Sequence, residues 1–174
     1  LGRAGLWRKM RMGYNLRTVL DSCRMLAEAG FRDHVSVNYS FNVIDERPET
    51  IRQTVAYHRE LEAIFGEDLV EPAIFFIGLQ PHTHLEQYGF DQGLIKPGYN
   101  PMSMMPWTAR KLLWNPEPMG STFGRICLEA FDRDPSRFGK TVMGLLERDY
   151  GTAPLEEALR APVAGRKALA TATR

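Results

Sequence analysis

Cysteine is scarce in this chain: 174 residues hold two, Cys23 and Cys127. Far apart and each set in a helical pattern, they read as two buried free thiols rather than a disulfide. By themselves they cannot form a cysteine-only metal site. Long apolar runs are missing too, since none approaches the ~20 residues that a membrane span needs, and no signal-peptide pattern is present. The expectation is a cytoplasmic protein with no membrane span. Charge of one sign is also absent, with 22 basic residues against 21 acidic ones for a net charge of +1. Such a balance provides no global field to recruit nucleic acid or an acidic membrane. What remains is the composition of a globular protein, 44% hydrophobic and 25% charged, in a chain long enough for one sizeable core. No internal repeat stands out. Leu1 opens the chain in mid-pattern, which points to a fragment of something longer.

The stretch with the clearest pattern is Val35 to Val43. Apolar and polar residues alternate, so a strand here turns Val35, Val37, Tyr39, Phe41 and Val43 to one face and Ser36, Asn38, Ser40 and Asn42 to the other. An antiparallel strand with its polar face in water would carry the same alternation. The following segments favour a parallel arrangement. Pro48 opens a helical pattern as a first-turn residue, with Glu46 and Glu49 complementing the helix dipole. That pattern ends near Gly66 and leads into the apolar run at 73–79, which fits a strand covered on both faces. Strand, crossover helix and parallel strand then point the Ser/Asn row into a sheet interior or a barrel lumen. Buried there, the row needs hydrogen-bonding partners from water or a ligand.

Around this unit, apolar residues recur at helical spacing from Thr18 to Ala29, and Gly30 supplies a C-terminal cap. His58 falls on the apolar face of the helix after the strand, the usual place of a structural histidine. The loop from Gln80 to Leu85 follows the apolar strand, where parallel α/β folds hold their ligands. His82 and His84 could pair on a metal with Asp91 nearby, but no third histidine or cysteine is close, so no metal is assigned. The loop instead suits ligand contact or helix capping. A short helix follows, stopped by Gly93. Prolines and glycines exclude a prolonged regular element over 96–120, within which Met102, Met104, Met105 and Trp107 form a soft apolar cluster. Helical patterns return at 121–131, 135–146 and 154–159, before a tail at 161–174 whose composition predicts disorder.

Three stretches, in order, resemble the C-terminal half of a radical S-adenosylmethionine enzyme barrel, most closely the class with a cobalamin-binding domain. The first is Arg8-Lys9-Met10-Arg11-Met12-Gly13-Tyr14-Asn15 with the helix ending Ala29-Gly30-Phe31. The second is Asn42-Val43-Ile44-Asp45-Glu46-Arg47-Pro48-Glu49-Thr50-Ile51, in place of a glycine-leucine-proline-glycine-glutamate-threonine turn. The third is Ile77-Gly78-Leu79-Gln80-Pro81-His82-Thr83-His84-Leu85 with Gly93-Leu94-Ile95 beyond it.

The resemblance implies an α/β fold: a partial TIM-like barrel of parallel strands over 1–95, a connecting loop over 96–120 and a helical C-terminal region over 121–160. It also implies a lumen that holds S-adenosylmethionine and a small-molecule substrate. Asn38, Ser40, Asn42, Pro81, His82 and Thr83 would approach the cofactor, and Ser36, Gln80 and His84 the substrate. A four-iron cluster and, in some members, cobalamin complete the family's chemistry. The three cluster cysteines are absent from this chain, so the N-terminal half of the barrel would supply them. A non-catalytic half-barrel that binds a small ligand or a protein is the alternative. An uncovered edge at the 35–43 strand would make the isolated chain dimerise or aggregate.

Overall fold

The computed structural model describes residues 16–95 and 113–159. The segments at 1–15, 96–112 and 160–174 lie outside them, and with these the Arg8–Asn15 passage, the Met102–Trp107 cluster and the tail.

Helix α1, Leu16–Glu28, buries Leu16 and Leu20 on one side. It closes on Gly30, whose φ of +90° suits a residue without Cβ. There the Phe31 N–H reaches the Leu26 carbonyl at 3.1 Å and the Gly30 N–H reaches Ala27 at 3.1 Å, the paired bonds of a glycine-terminated helix.

Strand β1, Val35–Phe41, helix α2, Pro48–Phe65, and strand β2, Val70–Gly78, form the expected unit. The strands pair in parallel, with Val35 opposite Val70 and Phe41 opposite Phe76. A two-residue strand, β3 at Leu113–Trp114, adds antiparallel to β2 and places Trp114 opposite Ile77. The sheet order is β1-β2-β3. Among the described residues the sheet is therefore mixed and open, with parallel pairing between β1 and β2 only. Helices α3 (His84–Asp91), α4 (Met119–Arg133), α5 (Phe138–Tyr150) and α6 (Leu155–Leu159) complete the fold. A 3-10 turn at Pro135–Arg137 joins α4 to α5. The Asp134 carboxylate caps it by accepting the Ser136 and Arg137 N–H groups at 3.0 and 3.2 Å.

Two cores meet at α2. The first joins Tyr39 and Phe41 of β1 and Ile51 and Val55 of α2 to Phe123 of α4 and Leu146 of α5. Phe41 stands 5.1 Å from Phe123 between ring centroids. Burying a side chain of that size contributes about 2–3 kcal/mol. The second core packs Leu20 of α1 and Leu159 of α6 on Tyr57, Leu61 and Phe65 of α2, with Val70 below. Gly139 brings α5 against β2, because any Cβ there would lie 1.7 Å from the Pro72 carbonyl oxygen.

One expectation about β2 needs correcting. The apolar run at 73–79 was expected to be covered on both faces, yet coverage of the second face reaches only its end, where Ile77 and Leu79 cluster with Ile95 and Trp114. Ile74 and Phe76 pack against the first core, while Phe75 between them is 52% exposed. α2, α4 and α5 contribute to that core and cover the Tyr39/Phe41 side.

Candidate functional site

The uncovered side of the sheet follows from strand alternation. Ser36 and Asn38 are exposed and Ser40 is half-buried, so the polar row of β1 faces outward rather than into a closed lumen. The parallel register sets Glu71, Ala73 and Phe75 of β2 beside Ser36, Asn38 and Ser40. Glu71 and Phe75 were not anticipated as part of this surface, because the strand was expected to begin at Ala73 and to be buried on both sides, whereas β2 begins at Val70. Alternation within β2 puts Glu71 and Phe75 on one face, but only the register sets that face beside the polar row. The surface offers hydroxyl and amide groups, one carboxylate and an aromatic ring, which suits recognition of a polar, flat ligand.

Asn42 leaves the row. Its φ of +52° turns the backbone into the left-handed region, which asparagine tolerates better than most residues. Only 3% of Asn42 is exposed. Its amide donates to Asn115 Oδ1 at 2.6 Å and to the Pro116 carbonyl at 2.8 Å. Asn115 in turn donates to the Gly120 carbonyl at 3.1 Å. Both amide hydrogens of Asn42 thus tie the end of β1 to the start of α4, and the row of four is a row of three.

The loop after β2 is built around a helix cap. Thr83 precedes α3; its hydroxyl accepts the Glu86 N–H at 3.3 Å and donates to the Gln80 carbonyl at 2.8 Å. The Glu86 carboxylate accepts the His82 N–H at 2.7 Å, a variant of the reciprocal capping box. This geometry holds His82 at φ +62°. Gln80, Pro81, His82 and His84 all present exposed side chains. Asp91 lies at the far end of α3 and accepts from the Gln87 amide at 2.8 Å. Among the described residues no group of three His, Cys, Asp or Glu side chains is placed to hold a metal ion, and no helix is long and apolar enough to cross a membrane.

A chain of three polar groups lies inside the core. His58 is 1% exposed; the Tyr39 hydroxyl is 3.1 Å from Nδ1, and Glu62 Oε1 is 3.2 Å from Nε2. The neutral ring with Nε2–H donating to Glu62 and Nδ1 accepting from Tyr39 satisfies all three groups. Burial pushes the His58 pKa down, against the opposing pull of Glu62. A carboxylate–imidazole–hydroxyl chain of this kind resembles a nucleophile relay, but its hydroxyl end is buried, with Tyr39 5% exposed. Its role is to join β1 to α2. The two thiols are half-buried and free, and burial raises the pKa of each.

Compared with known proteins, the chain matches no family model, no curated protein and no solved structure.

Proposed function

We propose that this chain forms one wall of a radical S-adenosylmethionine enzyme barrel and that its open strand face contacts the cofactor and substrate. One observation carries the reading. Ser36 and Asn38 are exposed on a parallel strand–helix–strand unit, with Ser40 half-buried beyond them, while helices bury the opposite face. An enclosing barrel has the same division, with helices outside and polar strand faces within. Asn38 and Ser40 would hydrogen-bond the adenosine part, Phe75 beside them would stack on the base, and Pro81, His82 and Thr83 would close over the strand ends. Ser36, Gln80 and His84 would face the substrate.

The residues here do not fit an iron–sulfur cluster. Cys23 on α1 and Cys127 on α4 are the chain's only cysteines, so the reading requires the cluster ligands to come from sequence outside these 174 residues. No residue is assigned to cobalamin. When bound, S-adenosylmethionine supplies the reactive chemistry; this chain's residues bind and orient it and exclude water from one side. The missing cysteines equally favour a second reading, a non-catalytic wall that binds a small ligand at the same face.

Titrating S-adenosylmethionine into the 15N-labelled chain tests the proposal. Amide shifts at 36–40, 75 and 80–83, lost in Asn38→Leu, are expected. An unchanged spectrum at millimolar ligand, or shifts that Asn38→Leu leaves intact, would overturn it. Reading the gene upstream of Leu1 separates the two readings, since a cysteine triad spaced three then two residues apart accompanies only the enzyme.

A further inference from the structure

The outer face of α4 carries two large apolar residues in water: Leu128 is 68% exposed and Phe131 is 60% exposed. Leu128 lines a shallow groove with Gly124, Arg125 and Asp132, and Phe131 follows three residues on along α4. At 100° per residue the arrangement has two flanks. Measured from Leu128, Arg125 and Asp132 lie about 60° and 40° to one side, and Phe131 and Gly124 about 60° and 40° to the other.

The face is complementary to itself. Gly124 and Asp132 each stand four residues from Leu128, ~6 Å along the axis in opposite directions, and Arg125 and Phe131 each stand ~4.5 Å away. A two-fold axis that crosses two α4 helices antiparallel at Leu128 keeps each flank on its own side and reverses the direction. Phe131 of one copy then covers Gly124 of the other, where nothing lies within 4 Å of an added Cβ. On the opposite flank Arg125 meets Asp132, and Leu128 meets its own copy at the axis. Arg125 already pairs with Glu129 and Asp149, so Asp132 of the second copy would join an existing network rather than meet a free guanidinium. Glu129 is already shared by Arg125, Arg133 and Arg148, and Asp149 by Arg125 and Arg148. Asp132 forms no ion pair among the described residues.

We infer that α4 is a homodimer interface in which a second copy of this chain packs antiparallel, seating Phe131 on Gly124 and Arg125 beside Asp132. Size and charge match at both ends of the stripe, which favours a second copy over an unrelated partner.

Sedimentation equilibrium of the whole chain tests this over about 5–500 μM, the window suited to an interface smaller than the ~1,600 Å² standard. A reversible dimer is expected. Leu128→Asp abolishes it within that window. Gly124→Leu weakens it at least about ten-fold while raising the Tm of the monomer, because leucine is the better helix former and its Cβ meets nothing within 4 Å. Asp132→Lys weakens it at low salt, and the loss shrinks as salt screens the repulsion from Arg125. A monomer at every concentration overturns the inference, as does a dimer indifferent to Leu128→Asp and Gly124→Leu. Indifference to Asp132→Lys alone overturns the antiparallel register.

Discussion

Replacing Gly139 with alanine tests the packing of α5 on the sheet. The new Cβ would lie 1.7 Å from the Pro72 carbonyl oxygen and 2.9 Å from its carbon. Ordinary contact is about 3.2 Å or more, so α5 and β2 must separate by roughly 1.5 Å, and both sides of the clash are backbone that cannot rotate away. That shift loosens Val142, Met143 and Leu146, which are at most 2% exposed. Overpacking of this kind costs about 1–3 kcal/mol and occasionally more, and with so little room to yield the upper end applies. Alanine's helix propensity returns up to about 1 kcal/mol, less in a first turn. A net loss of about 2–3 kcal/mol follows, or a Tm lower by roughly 4–12 °C for a chain of this size. Gly144→Ala is the control. It lies on the same helix, is exposed and has nothing within 4 Å of an added Cβ, so it should gain up to about 1 kcal/mol. Urea unfolding of both variants decides the matter. If Gly139→Ala is as stable as Gly144→Ala, α5 does not approach β2 as described.

Three other predictions concern polar groups. Asn42→Ala removes two partly buried hydrogen bonds and a residue suited to the left-handed region, costing about 2–4 kcal/mol, whereas Asn38→Ala, exposed on β1, stays within about 0.5 kcal/mol; equal urea midpoints would refute the separate roles. For His58 the folded pKa lies below the ordinary 6.5, so the unfolded chain binds the proton first. Stability is then complete above that value and falls as pH drops below it. His58→Gln should flatten this slope between about pH 7 and 5, and the same slope in both proteins would count against a buried neutral ring. Asp149 is held down to about 2 by Arg148 and then Arg125; its stabilising effect is present above the ordinary carboxylate range and lost as pH falls towards that value. Carboxyl NMR should show Arg148→Ala raising the Asp149 pKa, and an ordinary value in the unmodified protein would refute the pairing.

Much of the local structure was legible in the chain. Alternation from Val35 to Phe41 determined which side chains share a face of β1. Gly30 and Gly93 marked helix ends through the positive φ that they adopt, and His58 lay on an apolar helical stripe where a core histidine belongs. The Pro48 start of α2 and the threonine cap before α3 are likewise local, because each rests on bonds between residues at most four apart. Helix limits were less legible: α4 begins at Met119, and a 3-10 turn delays α5 until Phe138.

Which face is covered was decided only in three dimensions. Phe75 and Phe76 are neighbours of the same type, yet one is exposed and the other packs at 6.5 Å from Phe123, more than forty residues away. Asn42 continues the alternation of the strand, but Asn115 and Pro116 arrive from across the fold and turn it inward. The surface that now joins Ser36, Asn38 and Ser40 to Glu71 and Phe75 exists because the parallel register aligns two distant segments. Periodicity assigns side chains to one side of an element or the other. Only the arrival of distant elements, by covering one side and leaving the other, determines which becomes core and which remains open to a ligand.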